Sequence, residues 1–434
     1  MKREKNLRYL INILLICAIL ISIIGFYKDY KNTITFGTVD FRSRVVGARL
    51  ILEKKDPYFY KWKEGDSELL LQPTENINSP ISNITVPPTV LTFYASIAKL
   101  PYKVQKIIWF FAQWFLLIGS IFLLSKSTNS WIKTKLIWIF GLVFISGSSF
   151  WRLHVERGQV YILYIFLISL AYWIYTRNFK NNQILSGFFI GLTVSLRPTY
   201  IIMCLPMLIY KKFKVLIGAA AGIIIGIATS FIFVNFSIWK SYFSLTSIYG
   251  KIYMGEIQLP AYESISNRTI EGVSNLNSMA NIPAVDASVV NILKENLHLN
   301  LNVTYLLISI ILILIISSIL MLIFRYGNDN PKFVFLLGLV ITSTCDFFLP
   351  AHKFSYGNVI WLLIIALLID YSEPLSRILN PILPILFIGL FFIISIPFAP
   401  RDMLFPEVLI SIYFVIVTLF FMIQNWISNR KKLE

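Results

Sequence analysis

Long apolar runs recur from one end of the chain to the other, and they constrain its fold more than any other feature. Hydrophobic residues make up 56% of the 434 residues, charged residues 14%, and the mean hydropathy is +0.70. One water-soluble core cannot hide that much apolar surface. In a bilayer, helices of about 20 apolar residues are the economical way to satisfy every backbone group. We therefore predict an all-α polytopic membrane protein, with residues 1–434 forming a single integral membrane domain.

Twelve segments are apolar enough to be predicted as spans. They lie at residues 9–26, 104–124, 132–150, 159–176, 183–196, 198–210, 215–235, 303–324, 333–349, 355–370, 379–396 and 404–426. The fifth and sixth are short and are separated by Arg197 and Pro198, so residues 183–210 form either a hairpin or one kinked helix. A hairpin puts the basic residues at the two outer ends on the same side, which the positive-inside rule favours.

The distribution of charge predicts the orientation. With a cytoplasmic N-terminus, the inner segments hold eighteen Lys and Arg residues against five acids. This bias predicts a protein of the cell membrane with both termini cytoplasmic and with two long extracytoplasmic loops, residues 27–103 and 236–302. Within the first loop, residues 86–101 have prolines at positions 87, 88 and 101 around an apolar face too short to span, which predicts short interfacial helices.

Several classes of function lose support from the sequence. The net charge of +17 is spread in short clusters between apolar runs, which is typical of topology signals and not of a nucleic-acid-binding surface. All three cysteines fall in apolar segments, so neither disulfides nor thiolate metal sites are expected. Walker, Asp-x-Asp and His-Glu-x-x-His motifs do not occur, and we predict no metal and no cofactor.

Asp40 is the main candidate for a reactive group. It follows the first span by about a dozen residues, in a segment rich in arginine, lysine and tyrosine. A carboxylate near a membrane face with basic neighbours is suited to act as a general base beside an anionic substrate. Asp56, which precedes a proline, and Glu156 are the other acids that this role leaves open.

Basic side chains recur at the predicted outer face. Arg197 lies between two short apolar segments, where an unpaired guanidinium is costly unless it reaches water or an anion. Residues 151–161 place Arg157 and Gln159 around Gly158, and the turn 350–358 carries His352 and Lys353.

The order of these elements resembles a known family. The stretches 39-VDF-41, 48-ARLILEKKDPY-58, 158-GQV-160, 197-RP-198 and 351-AHKFSY-356 are similar, in order and placement, to those of the polyprenyl-phosphate-mannose-dependent mannosyltransferases of glycosyltransferase family 87. The basic residue before proline is Arg197 here, where the family pattern usually has lysine.

The resemblance implies a GT-C-like fold and a reaction on the extracytoplasmic side. Its partners are a polyprenyl-phosphate-linked sugar donor, a glycolipid or glycan acceptor and membrane lipids, without nucleic acid. Asp40 is then the general base of an inverting transfer, and Arg197, His352 and Lys353 bind the donor phosphate. The residues assigned to substrate positioning are Tyr58, Arg49, Gln159 and Arg157.

Two other classes remain open from the sequence. A transporter or flippase of lipid-linked saccharides is expected to carry ionisable groups near the membrane midplane, and the predicted spans are almost free of them. An O-antigen-type polymerase or ligase is expected to place its essential charges in a large late loop, whereas the charge-rich loop comes first here.

Overall fold

A computed structural model gives the fold of the protein. It describes residues 2–35, 38–72, 74–146, 148–263, 286, 288–299, 301–325, 328–371 and 405–430. Throughout these ranges the regular structure is helical, apart from isolated bridge residues, among them Asp286 and Phe354, which pair with each other. The predicted all-α membrane fold is confirmed.

Sixteen α-helices are described. They are α1 Lys2–Thr35, α2 Val39–Leu52, α3 Pro88–Ala95, α4 Tyr102–Lys126, α5 Trp131–Phe140, α6 Ser149–Arg157, α7 Tyr161–Tyr175, α8 Asn182–Leu196, α9 Cys204–Ile209, α10 Phe213–Ser230, α11 Phe236–Met254, α12 Val289–Leu297, α13 Val303–Ile323, α14 Pro331–Asp346, α15 Trp361–Tyr371 and α16 Phe405–Arg430. A π-helical segment, Gly141–Ser146, continues α5, and 3₁₀ segments, Pro198–Met203 and Ser355–Ile360, precede α9 and α15.

The predicted number of twelve spans is not reproduced by the described helices. Five of them, within α1, α4, α10, α13 and α16, are long and apolar enough to cross a membrane alone. A sixth candidate is the pair α6 and α7, which is bent by 115°. Other predicted spans correspond to apolar helices of 10–17 residues, such as Asn182–Leu196 and Pro198–Ile209. The predicted span 379–396 lies outside the described residues.

The segment 183–210 forms a hairpin. A Cβ atom built on Gly187 would lie 2.0 Å from the Val215 carbonyl oxygen, and one on Gly191 would lie 2.0 Å from that of Ala219. Contacts between α8 and α10 thus advance in the same direction along both helices, so these helices are parallel. The chain between them, Pro198–Ile209, must therefore run back, which places both flanking basic clusters at one end. Only glycine permits so close an approach of the two backbones.

The predicted inner segments meet at one end of the helix bundle. Lys332 donates to the Asp370 carboxylate at 2.8 Å, and Lys133 Nζ donates to the Asp370 carbonyl oxygen at 2.6 Å. Arg177 donates to the Lys126 carbonyl oxygen at 2.8 Å. Near the C-terminus, Asn425 donates to Asn328 Oδ1 at 2.7 Å. We call this the basic end of the bundle.

The two predicted long loops contain more helix than expected. Helix α1 continues to Thr35, past the predicted end at residue 26, and the side chains of Asp29 and Thr33 in this extension are buried. Helix α2 is buried along almost its whole length, and the helix expected within residues 86–101 is present as α3, most of whose residues are buried. The second loop begins with the 19-residue helix α11, which packs against α2 and the segment after it. Its aromatic and polar composition hid this helix from a search for spans.

Candidate active site

A cavity of about 640 Å³ opens at the end of the bundle opposite the basic end. It lies between the first turn of α2, the start of α7, one face of α11 and the turn that follows α14. Six of the eight predicted site residues line it: Asp40, Arg157, Gln159, Arg197, His352 and Lys353. Residues that are up to about 310 positions apart in the sequence therefore share one chamber.

Asp40 belongs to the first turn of α2 and not to a loop as predicted. An acidic side chain is favoured there by the positive end of the helix dipole. The next residue, Phe41, is buried and stacks on Trp109 with ring centroids 6.0 Å apart. Thr38, just before the helix, exchanges a 2.8 Å hydrogen bond with Tyr102. The start of α2 is thus anchored on both sides of Asp40, while its carboxylate faces the cavity.

Gln159 connects Asp40 to Arg44. Its Nε2 donates to Asp40 Oδ2, and its Oε1 accepts from the Arg44 guanidinium. Arg44 follows Asp40 by one helical turn, so both side chains lie on the same face of α2. Arg44 also donates to the Gly158 carbonyl oxygen at 3.1 Å. The other oxygen, Asp40 Oδ1, accepts no hydrogen bond from the described residues, which leaves it available to a ligand.

The turn that presents Gln159 requires glycine. Gly158 ends α6 with φ +64°, in the left-handed region that other residues rarely adopt. A Cβ atom there would lie 2.5 Å from Phe41 Cβ. The close contact between this turn and α2 is what brings Gln159 within reach of Asp40.

Arg197, Asp346 and Lys353 form a charged cluster in the cavity wall. Arg197 donates to Asp346 Oδ1 at 2.7 Å, and Lys353 Nζ lies 3.5 Å from Asp346 Oδ2. The Arg197 guanidinium also lies over the Tyr161 ring, 4.5 Å from its centroid. Burial lowers the pKa of the Lys353 ammonium, and the Asp346 carboxylate opposes that effect. One carboxylate thus fixes two cations, so these three side chains carry one net positive charge when Lys353 is protonated, and the buried Glu407 carboxyl also interacts with Lys353.

His352 is held by Asp286, a residue of the second long loop. Its Nδ1 lies 3.0 Å from Asp286 Oδ2, and Asp286 Oδ1 accepts from the Lys353 backbone N–H at 2.9 Å. Burial raises the pKa of the Asp286 carboxyl, but these bonds and those from Tyr253 and Ser288 outweigh it and lower the pKa to about 2. Asp286 is therefore ionised at neutral pH.

Arg49 and Tyr58 do not line the cavity, which differs from their predicted role in positioning a substrate. Arg49 is buried and donates to the carbonyl oxygens of Ala98 and Leu69, each at 2.8 Å. Tyr58 is buried as well and donates to the Val86 carbonyl oxygen at 2.9 Å. Their polar groups satisfy the irregular backbone that follows α2, so both residues are structural.

The two alternative acids are also away from the cavity. Asp56 accepts from the Tyr58 backbone N–H at 2.9 Å, in the turn expected of an Asp-Pro sequence. Glu156 is buried on α6. Among the described residues, no group of three or more His, Cys, Asp or Glu side chains is arranged to hold a metal ion.

Sequence reasoning missed several residues of the site. The spacing of Arg44, four residues after Asp40, would have placed both side chains on one face of a helix. The stretch was interpreted as a loop, so this spacing was not used. Asp346 also carried a signal, as an acid within an apolar run is costly unless paired. Aromatic side chains also line the cavity, namely Tyr161, Tyr164, Tyr242, Tyr249, Tyr262, Phe354 and Tyr356. Phe354 and Tyr356 belong to the motif stretch 351–356, but no role was predicted for either of them.

This arrangement has a defined chemical capacity. A carboxylate with one free oxygen can accept a proton, and a cluster with surplus positive charge can stabilise an anion that leaves from the same chamber. Tyrosine rings and hydroxyls between them suit a ligand that is partly apolar and partly hydroxylated.

The comparisons with known proteins agree with this capacity. The chain matches no curated protein. The family model described as Glycosyltransferase family 87 matches residues 85–350, more than half of the sequence. The matched region includes Gln159, Arg197 and Asp346, but it begins after Asp40 and ends before His352. The chain therefore belongs to glycosyltransferase family 87 and is a membrane glycosyltransferase, as its motifs predicted.

Proposed function

We propose that the protein transfers a sugar, mannose by its motif resemblance, from a polyprenyl-phosphate donor to a lipid-linked or glycan acceptor on the extracytoplasmic side. The transfer inverts the anomeric configuration, Asp40 is the general base, and the fold is of the GT-C class. The observation that carries this proposal is the cavity itself, in which a carboxylate with a free oxygen and a cluster of net positive charge face the same space.

The proposed step balances without a metal or cofactor. The acceptor hydroxyl oxygen attacks the anomeric carbon of the donor sugar, and its proton passes to Asp40 Oδ1. The bond between the anomeric carbon and the phosphate oxygen breaks, and the electron pair leaves with the phosphate. The donor phosphodiester carries one negative charge and the released monoester carries more, so stabilisation by Arg197 and Lys353 grows as the bond breaks.

The charge distribution supports the proposed side of the membrane. Basic residues of the predicted inner segments meet at the end opposite the cavity. Near the N-terminus, Arg8 lies over the Trp131 ring, 5.7 Å from its centroid, at the start of α5 and therefore at the same end. By the positive-inside rule, the basic end is cytoplasmic and the cavity is extracytoplasmic. The cell membrane is the proposed location, with both termini inside.

Replacing Asp40 tests the function directly. Membranes containing the protein are incubated with labelled polyprenyl-phosphate-mannose and crude glycolipid, and labelled products are followed. Asp40→Asn keeps the hydrogen bond geometry but cannot take the proton, so transfer is expected to fall about 10²-fold or more. Asp56→Asn is the matched control, because Asp56 caps a turn away from the cavity. Near-normal transfer by Asp40→Asn, or loss of transfer by Asp56→Asn alone, would contradict the assignment.

A further inference from the structure

Asp286 and His352 form a pair at the cavity wall that no motif indicated. They are separated by 66 residues, and Asp286 Oδ2 lies 3.0 Å from His352 Nδ1. The imidazole is stacked on Phe354, with ring centroids 5.4 Å apart, and meets the edge of Tyr253 at 4.5 Å. The ring is thus fixed on two sides by aromatic contacts and at one nitrogen by a carboxylate.

We propose that Asp286 is a positioning residue that orients His352 toward the donor phosphate, an inference that rests on the proposed function. With Nδ1 donating to Asp286, the ring nitrogen left for a ligand is Nε2, and His352 lines the cavity. A carboxylate that accepts from Nδ1 fixes the orientation of the ring, and in the imidazolium form the Nε2–H is a charge-assisted donor to phosphate. His352 then binds the phosphate, and Asp286 acts through it.

The bonds of Asp286 explain how the second long loop takes part. Besides His352, Asp286 accepts from the Lys353 backbone N–H at 2.9 Å, from Tyr253 Oη at 2.8 Å and from the Ser288 backbone N–H at 3.0 Å. Because so many donors hold the Asp286 carboxylate, its position is fixed. Its hydrogen bond to Nδ1 therefore also fixes the orientation of the His352 ring. The same bonds also attach the loop to α11 and to the turn after α14. An experiment must therefore separate orientation of His352 from attachment of the loop.

The test measures binding of farnesyl phosphate to the full-length protein in lipid nanodiscs by titration calorimetry. The wild-type protein is expected to bind it. Asp286→Asn is expected to weaken binding about tenfold, the scale of one charge-assisted hydrogen bond. Asp286→Glu keeps the charge and is expected to retain more affinity. In a His352→Gln background, Asp286→Asn is expected to add about twofold or less, because the pair is already broken.

Two controls separate the possible causes. Asp66→Asn is matched, since Asp66 also accepts from a tyrosine hydroxyl, that of Tyr60, and from a backbone N–H; it is expected to leave binding unchanged. Tyr253→Phe removes a bond that attaches the loop but keeps the ring against His352, and it is expected to change affinity about twofold or less.

Three outcomes would overturn the inference while leaving the proposed function intact. The first is unchanged affinity for farnesyl phosphate in Asp286→Asn. The second is that Asp286→Asn lowers the affinity as much in the His352→Gln background as in the wild-type protein. The third is that Tyr253→Phe lowers the affinity as much as Asp286→Asn does. A wild-type protein that binds no farnesyl phosphate would instead overturn the proposed donor, and the inference with it.

Discussion

At the scale of single residues, some side chains of the site fix the positions of others, which keep atoms free to contact a ligand. Arg44 does not bind Asp40 directly; it binds Gln159, whose neutral amide then donates to one Asp40 oxygen. The position of the carboxylate is thus fixed while its second oxygen stays available. Asp346 fixes the positions of the two cations in the same way. It pairs with both Arg197 and Lys353, and one positive charge of these three side chains stays in excess.

Arg197 gives a prediction at this scale. Arg197→Ala is expected to raise the KM for a polyprenyl-phosphate sugar at least tenfold, because it removes the excess positive charge and leaves Asp346 beside the donor. Arg197→Lys is expected to recover part of the loss, since a point charge still attracts phosphate without the bidentate fork. Initial rates measured against donor concentration check both. Arg177→Ala, at the basic end, is the control, and equally mild effects of the two alanine changes would contradict a role in donor binding.

At the scale of elements, local patterns predicted some features well and others not at all. Hydropathy predicted the apolar helices, and the basic residues around residues 183–210 predicted the hairpin that the contact of Gly191 with Ala219 confirms. Helix α11 was missed because aromatic and polar residues are interspersed along it, so no run in it was apolar enough to be predicted as a span. The pairs that build the site, such as Arg197 with Asp346, join residues 149 positions apart. No sequence window contains such a pair, so only the fold reveals it.

Arg49 and Tyr58 lie outside the cavity, although the motifs predicted a place in the site for both. Both belong to stretches that resemble family motifs, and proximity to Asp40 in sequence suggested a place in the site. Yet Arg49 is nine residues, about two and a half turns, further along α2 on the opposite face, and it donates to backbone carbonyl oxygens. A motif identifies residues that a fold needs, but it does not distinguish those that touch a ligand from those that hold the backbone.

The turn between α6 and α7 gives a prediction at this scale. Gly158→Ala adds a Cβ atom 2.5 Å from Phe41 Cβ in a left-handed conformation, so we expect a lower melting temperature and at least tenfold slower transfer. Gly255→Ala is matched, because Gly255 ends α11 with φ +79° and has nothing within 4 Å of the added atom. It is expected to cost roughly 1 kcal/mol with near-normal transfer. Thermal unfolding and transfer rates check this, and equal losses in both variants would exclude the contact with Phe41 as the cause.

At the scale of the whole molecule, charge is divided between two ends. One end gathers basic side chains around the Asp370 backbone and carboxylate, and the other holds the cavity. This division suits the lipid-borne donor that we propose, because the headgroup of such a donor lies near a membrane face. The parallel course of α8 and α10 contributes to this division, because it returns the chain to the basic end between them.

Cysteine labelling tests this division. The native cysteines Cys17, Cys204 and Cys345 are first replaced. Single cysteines are then introduced at Lys63, Lys180 and Lys214, whose side chains are exposed on the surface of the protein. A membrane-impermeant maleimide added to intact cells is expected to label Lys63→Cys, which lies in the polar segment after α2. Lys180→Cys and Lys214→Cys are expected to react only after the membrane is made permeable, because the hairpin places both at the basic end, which we propose to be cytoplasmic. Labelling of the two on opposite sides would exclude the hairpin across a membrane, and labelling of both from outside would reverse the orientation and place the cavity in the cytoplasm.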